Sequence, residues 1–586
     1  MKILPSEILL RVEQRFARLY GDHHAPRLSA RLAQLLSRYP CSEKPPLPAW
    51  SQHDTLLALF GDSLSKPGEK PLRTLQIFLR DYIGDHFAGL HLLPFFLAEE
   101  GEEYAIQDHR IVNPGLGDWN DIEALTRDYS LMFDLVLNHV SRNSAWFHDY
   151  VDGIFPARGY FVSLEPDSNL PAVASPCGTP VLSLIQTRRG ERHLWSTFGG
   201  DQFDLDFRNP DVLFEFLDIM LGRVNHGASI LQLNSVPYLW KDADTCSLDL
   251  DEDHLLVKIF RDVLAMSAPE VLLLAEAPLS HNRSWRYFGE GDESHLLYTH
   301  ALGGLLIHGL LSGRADFLHQ WLESLPTPPP GCGFVNQTDD ANGIALNPLR
   351  GLLPDAELGQ LVDWLQKRGA HISPYRCGDR SLPFEANISF FDALTDPGQP
   401  STESAMARLL CAQTLTLALK GIPGIHFPSL VAAHSDRQRF EVTNNPRAAN
   451  RPRWRWGDLI PLLEDPATAP AQIFNELLRR IQIRRQQAAF HPDAPQHPLH
   501  LNEGLFGFRR VASDGHQTIA VVGNLTAKTR PITPDALIPD LLRYPARQEL
   551  LSGQTLEGRE NQKLPIGPYQ TAWIAAAIPA NKSQVS

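Results

Sequence analysis

The chain has 586 residues, more than one average domain needs and enough to bury a large core. Hydrophobic residues make up 43% and charged residues 21%, the ordinary balance of a globular protein. The formal net charge of -15 excludes the basic field that attracts phosphate groups, so we expect neither nucleic acid nor a membrane as a partner.

The first residues carry an amphipathic helical pattern and not an apolar leader. Glu7, Arg11, Glu13 and Arg15 interrupt the apolar positions, which argues against a signal peptide. No run of about 18 apolar residues follows, so we expect no membrane span and a cytoplasmic location. Six cysteines are scattered without a CxxC pair, and we expect no metal and no cofactor.

After a helical extension over residues 1–50, short apolar runs alternate with amphipathic helical stretches. Such alternation is typical of βα units around a parallel sheet. The runs lie at 55–62, 89–96, 130–140, 228–235, 270–277, 295–302, 333–340 and 421–427. Eight of them predict an α/β protein with a (β/α)8 TIM barrel. A doubly wound open sheet also alternates in this way, but no GxGxxG or GxxxxGK[ST] motif supports nucleotide binding.

Two connections are too long for plain loops between a strand and a helix. Residues 51–140 form the first part of the predicted barrel, and 141–215 a small inserted subdomain rich in Pro, Gly and Ser. Residues 216–494 complete the barrel and include a second long excursion at 341–400. From about residue 495 short strands follow without helices, which predicts a C-terminal β-domain over 495–586.

Polar groups stand at the ends of several predicted strands. A lone acid after an apolar strand is more often a helix cap, but several on one barrel face can act as acid, base or nucleophile. The fourth strand, within "GASILQLNSVPYLWK", ends in amides instead of charged groups. The polar residues are Asp134, Asn138, His139, Gln232, Asn234, Glu276, Thr338, Asp339 and Asp340.

Several ordered motifs together resemble a known family. They read "DLVLNHVS", "HLWSTFGGDQFDLDFRNPDVL", "VLLLAEAPLSHNRSWRYFG" and "NNPRAANRPRW". They are similar to glycoside hydrolase family 13, the α-amylase family, and more narrowly to its sucrose phosphorylase and glucosylglycerate phosphorylase branch. The similarity runs from about residue 55 to the C-terminus, and the helical extension resembles that of the glucosylglycerate-type members.

The resemblance implies a retaining mechanism. A fourth-strand carboxylate forms a covalent glucosyl-enzyme, and a fifth-strand carboxylic acid protonates the leaving oxygen. Retention requires these two carboxyl groups to lie about 5–5.5 Å apart. In the phosphorylase branch phosphate replaces water as acceptor. The ligands implied are therefore an α-glucoside, phosphate and glucose 1-phosphate.

Carried over position by position, the match is uneven. Glu276 matches the acid/base, Asp339 the seventh-strand carboxylate, and Asn234 the position of the nucleophile. Asp340 is interpreted as a cap of the turn. Five further residues match or replace binding groups: Asp134, Asn138 and His139 of the third-strand motif, Gln232 where an arginine is expected, and Thr338 where a histidine is expected. The last three are Arg451 in "AANR", and Glu102 and Tyr104 as loose equivalents of the aspartate and phenylalanine after the second strand.

The amide at position 234 sets the functional prediction. An amide nitrogen is not nucleophilic, and loss of a covalent nucleophile costs on the order of 10⁶ in turnover, or about 8 kcal/mol of barrier. One hypothesis is a catalytically impaired relative that still binds an α-glucoside or glucose phosphate. The other is an active α-glucoside phosphorylase or glucosyltransferase, in which phosphate attacks directly with Glu276 as acid and inverts the sugar.

Overall fold

A computed structural model describes most of the chain. The described residues are 6–42, 50–165, 173–176, 180–377, 380–398, 402–539, 541, 544–556 and 563–578. The predicted boundaries at residues 1, 400 and 586 lie outside these ranges, as does most of the proline-rich segment that precedes Trp50.

Eight parallel strands close into a barrel in which each pairs with the next along the chain and the last pairs with the first. They are β1 Leu56–Leu59, β2 Gly89–Leu92, β3 Ser130–Val136, β4 Ala228–Asn234, β5 Leu272–Ala275, β6 Leu296–Tyr298, β7 Gly333–Asn336 and β8 Ile422–His426. The predicted TIM barrel is confirmed, and the open doubly wound sheet is wrong.

Helices follow the strands. Asn209 caps the helix after β3 by accepting a hydrogen bond from the Asp211 N–H, and Pro210 supplies the preformed first turn. The longer helices are Pro71–Phe78, Pro210–Asn225, Asp251–Ser267, Leu302–Ser312, Asp316–Ser324, Thr402–Ala418, Trp456–Glu464 and Ala469–Arg485. The shorter ones are Trp119–Leu125, His281–Ser284, Phe390–Ala393, Phe427–Leu430 and Arg437–Thr443.

The barrel interior changes from apolar to polar along its axis. Leu56, Met132, Ile230, Leu274 and Val335 are among the buried side chains of one inner cluster. A polar layer then begins on β3 and β4, so hydrogen-bonding groups accumulate toward the carboxyl ends of the strands. Those ends are where TIM barrels place their chemistry.

The N-terminal extension is a helical hairpin of α1 Ser6–Tyr20 and α2 Ala25–Leu36. Arg11 and Arg15 of α1 both pair with Asp262 in the helix after β4. Arg15 and Asp262 have side chains only 7% and 2% exposed, so the hairpin is fixed to the barrel by a buried ion pair as well as by apolar packing.

The two long excursions meet above the barrel mouth. The first contains helix Ala145–Asp152 and the antiparallel strands Ser163–Leu164, Leu182–Thr187 and Gly190–Trp195, and Gln202–Asp204 returns to pair with His139–Ser141. The second contains Ile344–Ala345, helix Asp355–Lys367, His371–Cys377 and Arg380–Asn387. Strand Ala174–Ser175 of the first pairs with His371–Cys377 of the second.

A C-terminal sheet domain is present, as predicted. Its strands are, in spatial order, Gln496–Pro498, Leu505–Val511, Gln517–Asn524, Thr571–Ala577, Ala546–Glu549 and Gln554–Thr555. Arg530–Ile532 pairs separately with Leu564–Ile566, next to the short helix Pro534–Leu537. Within the described ranges, no helix has the length and apolar character needed to cross a membrane.

Candidate active site

A central pocket opens at the carboxyl ends of the barrel strands. Its empty space is about 770 Å³, and this volume includes the part open to solvent. Of the residues predicted from the sequence, Tyr104, His139, Asn234 and Glu276 line it. The others lie beneath it or outside it.

Asn234 and Glu276 face each other across adjacent strands. Asn234 is the last residue of β4, and Glu276 follows β5 and donates its N–H to the Leu233 carbonyl. The Asn234 amide donates through Nδ2 to Glu276 Oε2 at 3.2 Å, and the Ser235 N–H donates to the same oxygen at 3.2 Å. The amide and the carboxyl are therefore in direct contact.

Burial and the charge of Asp134 raise the pKa of Glu276 to about 7, although the Ser235 N–H opposes this shift. A carboxyl with such a pKa is divided between its acid and base forms at neutral pH. A pKa near the working pH is the optimum for general acid–base catalysis. The pKa of Glu276 therefore suits a group that both gives and takes a proton.

Gln232 belongs to the floor below the pocket. It donates through Nε2 to Asp134 Oδ1 at 3.1 Å and accepts from the Tyr298 hydroxyl at 2.7 Å. Asp134 also contacts His91 Nε2 at 2.8 Å and is fully buried. The amide satisfies both neighbours without a positive charge, so Asp134 lacks the cation that an arginine at position 232 would provide.

The seventh strand presents Asp340 to the pocket, whereas Asp339 points elsewhere. Asp339 accepts from Ser429 Oγ at 2.8 Å and Thr338 Oγ1 at 2.7 Å, and contacts His426 Nδ1 at 3.0 Å. The structure therefore does not bring Asp339 to Glu276. We reassign the position of the pocket carboxylate to Asp340.

This reassignment shifts the comparison by one residue. Asp339, and not Thr338, then lies at the position where the resemblance implies a histidine. Thr338 accepts from Gln413 Nε2 at 2.8 Å and is buried away from the pocket. Burial and the nearby Glu276 raise the pKa of Asp340 to about 7, consistent with two carboxyls near one another.

Of the third-strand motif, His139 lies in the pocket wall and Asn138 lies behind that wall. His139 lines the pocket, and burial lowers its pKa to about 4, so the imidazole is neutral at pH 7. Asn138 lies behind it and accepts from Lys241 Nζ at 2.8 Å. Lys241 also pairs with Asp204 at 2.8 Å. Asn138 thus positions the wall without facing the pocket.

Arg451 lies outside the central pocket and pairs with Glu103, the residue next to the predicted Glu102. It pairs with Glu103 at 2.6 Å, while Glu102 lies 3.9 Å away and accepts from Asn445. The Arg451 guanidinium lies 5.3 Å from the Tyr104 ring centre, and Tyr104 lines the pocket. The structure does not place Glu102 on the wall of the central pocket; Glu103 makes the contact to Arg451.

Three other pocket residues escaped the sequence reasoning. His300 follows β6, and burial lowers its pKa to about 4. Asn342 donates through Nδ2 to Glu276 Oε1 at 3.4 Å. Arg447 pairs with Glu385 at 2.9 Å at the pocket mouth. The sequence pattern did not indicate Asn342, because it lies in a loop. It did not indicate His300, because this is a single polar residue after an apolar run.

Some polar atoms of the pocket residues have no hydrogen-bond partner among the described residues. They are Asn234 Oδ1, His139 Nε2 and His300 Nε2, each buried. Leaving a buried donor or acceptor unpaired costs about 1–3 kcal/mol, so such groups are expected to find partners on a ligand. Within the described ranges no cluster of His, Cys, Asp and Glu is arranged to hold a metal ion.

The raised pKa of Glu276 gives a testable pH dependence. Between its ordinary value of 4.5 and about 7 the folded state holds a proton that the unfolded chain releases, so stability falls as the pH rises through this window. Above this pH window the free energy of unfolding of Glu276→Gln is expected to exceed that of the unsubstituted protein by about 3 kcal/mol. Below the window the two free energies should be equal.

Urea unfolding at about pH 4 and about pH 8 measures this difference. The exposed Glu100→Gln variant is the matched control and should follow the unsubstituted protein at both values. An equal effect of Glu276→Gln at the two pH values would contradict a buried carboxyl with a raised pKa.

Comparisons with known proteins find relatives over nearly the whole chain. The family model of the α-amylase catalytic domain matches residues 81–306 of this sequence. A glucosylglycerate phosphorylase of Allomeiothermus silvanus is 34% identical over 576 residues, covering 98% of this chain and 100% of that protein. The chain belongs to glycoside hydrolase family 13, in the branch of sucrose and glucosylglycerate phosphorylases.

Further relatives of this family 13 protein extend the match. A glucosylglycerate phosphorylase of Spirochaeta thermophila is 31% identical over 529 residues, or 89% of each chain. The crystal structure of a sucrose 6F-phosphate phosphorylase from Thermoanaerobacter thermosaccharolyticum superposes with a TM-score of 0.70 at 21% identity, covering 81% of this chain and 94% of that one. The latter likeness supports the fold alone.

Proposed function

We propose that this family 13 protein binds an α-glucoside or glucose phosphate but has lost covalent glucosyl transfer. The observation that carries the proposal is Asn234 at the end of β4, with its amide 3.2 Å from Glu276. A retaining mechanism needs a second carboxylate beside the acid at this position. The amide supplies neither a nucleophile nor a negative charge to stabilise an oxocarbenium ion.

Retention of sugar binding is supported by the rest of the pocket. Glu276 and Asp340 offer carboxyl oxygens, and His139, His300 and Asn234 offer buried polar atoms that find no partner in the described part of the chain. A polyhydroxylated ligand pairs such groups at once. Tyr104 and Phe198 add aromatic surface for the apolar face of a sugar ring.

The proposal is tested by calorimetry and a phosphorolysis assay on the same freshly purified protein. Glucose, glucose 1-phosphate, sucrose, glucosylglycerate and glucosylglycerol are the ligands to compare. We expect saturable binding of at least one and no release of α-glucose 1-phosphate above background. Turnover that disappears in Glu276→Gln would contradict the impaired enzyme.

A second candidate function is inverting phosphorolysis, favoured by the survival of Glu276 with a pKa of about 7. In this route phosphate attacks the anomeric carbon directly while Glu276 protonates the leaving oxygen. The product is β-glucose 1-phosphate, so the configuration of the released sugar phosphate decides between this route and retention. α-Glucose 1-phosphate would contradict it.

If the pocket binds a sugar, substitution of Asp340 and substitution of Asp201 should change the affinity for glucose by different amounts. Asp340→Asn is expected to weaken glucose binding by about 10- to 100-fold, because a hydrogen bond to a charged group contributes about 1.5–3 kcal/mol. Asp201→Asn is the matched control, since Asp201 is 70% exposed at the outer rim and pairs with Arg142. Calorimetry at about pH 8, above the pKa of about 7 of Asp340, keeps this carboxyl mostly ionised. Equal affinities of the two variants would contradict the placement of the sugar beside Asp340.

A further inference from the structure

The contact between Asn234 and Glu276 has a chemical consequence beyond binding. A single oxygen, Glu276 Oε2, lies 3.2 Å from the side-chain nitrogen of Asn234 and 3.2 Å from the main-chain nitrogen of Ser235. These two nitrogens are the leaving group and the nucleophile of asparagine deamidation through a cyclic imide. Glu276 therefore lies where one carboxyl oxygen can take a proton from one nitrogen and give it to the other.

We propose that Asn234 is a self-modification site, at which Glu276 assists deamidation to aspartate and so installs the carboxylate that family 13 transfer requires. The proposal rests on the proposed function only for its effect on activity. The chemical change at position 234 stands on the Glu276 contacts alone.

The steps balance without any reactant except water. Glu276 carboxylate takes the proton of the Ser235 N–H as that nitrogen attacks the side-chain carbonyl carbon of Asn234. The carbon–Nδ2 bond breaks, and the nitrogen leaves as ammonia after receiving the proton from Glu276. Water then opens the imide: addition at the side-chain carbonyl gives aspartate, and addition at the main-chain carbonyl gives isoaspartate.

Three local features favour deamidation at this position. The Asn234 side chain lines the pocket, so the space beside it is where the water that opens the imide would enter. Its Oδ1 has no partner among the described residues, so no hydrogen bond holds the amide oxygen in place. Ser235 adopts a left-handed conformation with φ 57°, so the strand ends there and its N–H bonds to Glu276, not to a neighbouring strand.

Two other asparagines serve as internal references. Asn342 also contacts Glu276, through Nδ2 at 3.4 Å from Oε1, but the main-chain nitrogen of Gly343 donates to the Asp340 carbonyl. Asn138 contacts Lys241 and His139, and no carboxylate of the described ranges bonds to its amide. Only Asn234 has both reacting nitrogens on one carboxyl oxygen among these three.

The experiment follows the peptide that contains residue 234 by mass spectrometry while the purified full-length protein is incubated at neutral pH. We expect a product one mass unit heavier at position 234, preceded by a species lighter by one ammonia. In water enriched in ¹⁸O the product gains the heavy oxygen. Conversion should be faster at Asn234 than at Asn342 or Asn138.

Glu276→Gln is expected to slow the conversion by about 10²-fold, the lower end of general acid–base catalysis. Glu276→Asp keeps a carboxyl at a greater distance and should convert at an intermediate rate. Thermal unfolding checks that both variants are folded. No gain of mass at position 234, or conversion at the same rate in Glu276→Gln, would overturn the proposal.

The peptide mass separates this inference from the proposed function. If freshly purified, unconverted protein already transfers glucose, the proposed function fails while the deamidation result stands by itself. If position 234 stays unconverted and the protein is inactive, the inference fails and the proposed function survives. If both hold, transfer activity grows in proportion to the converted fraction.

Discussion

Asn234→Asp combined with Gln232→Arg is expected to raise glucosyl transfer to phosphate by at least about 10³-fold. Removal of a covalent nucleophile costs on the order of 10⁶ in turnover, and the two substitutions restore the carboxylate and its cation. Arginine at position 232 reaches Asp134, which already contacts Gln232 at 3.1 Å. The measurement is initial-rate release of glucose 1-phosphate from glucosylglycerate, sucrose and glucosylglycerol.

Two single variants control this experiment. Gln232→Arg alone restores no nucleophile and should show no gain. Asn342→Asp places a new carboxyl beside Glu276 from another loop, so it shows whether any added acid suffices. A double variant that binds glucose yet transfers none would mean that the reacting geometry differs in more than these two positions.

Glu103→Gln is expected to lower the free energy of unfolding by about 3–5 kcal/mol, because it leaves the buried Arg451 without its carboxylate partner. Burial raises the pKa of Glu103, but the charges of Arg451, Arg439 and Arg453 together hold this pKa at about 2. Arg451 has a side chain only 1% exposed. Urea unfolding near neutral pH measures the loss, and glucose binding should weaken as the support of Tyr104 is disturbed.

Asp81→Asn is the control for this second prediction. Asp81 pairs with Arg80 on the surface, with side chains 43% and 72% exposed, and such pairs contribute little. Its unfolding midpoint should match that of the unsubstituted protein. An unfolding free energy of Glu103→Gln within error of that control would show that the arginines find other partners.

The sequence was sufficient to predict the barrel because its strands are buried on both faces. Each run of apolar residues contains one barrel strand, although the barrel strands are shorter than the runs: residues 55–62 contain only Leu56–Leu59. Apolar runs continue into the loops that cover the barrel, so strand ends cannot be read from hydrophobicity alone. The fold class therefore followed from the pattern and the boundaries did not.

The pocket was predictable only where a strand fixes the direction of a side chain. Asn234 and Glu276 lie at or directly after a strand end and face each other as expected. Asp339 and Asp340 come three and four residues after β7 ends at Asn336, where the alternation of faces no longer applies. Two adjacent acids cannot then be distinguished from the sequence.

The same difficulty explains why Glu102 was predicted to belong to the site whereas Glu103 makes the contact with Arg451. The segment expected to be a loop after β2 is a hairpin of Phe96–Glu99 and Glu102–Val112, turning at Gly101 with φ 81°. Its register shifts three times, so simple alternation along the strand fails. Contact between Arg451 and Glu103 depends on this irregular pairing, which no sequence pattern revealed.

The absence of covalent transfer is tested most directly by the mass of the intact protein after mixing with a slowly reacting α-glucosyl fluoride. The protein must first be shown by peptide mass to be unconverted at Asn234. We predict no gain in mass for this protein and one glucosyl adduct for the Asn234→Asp, Gln232→Arg variant. A glucosyl adduct on the unconverted, unsubstituted protein would contradict the loss of covalent catalysis.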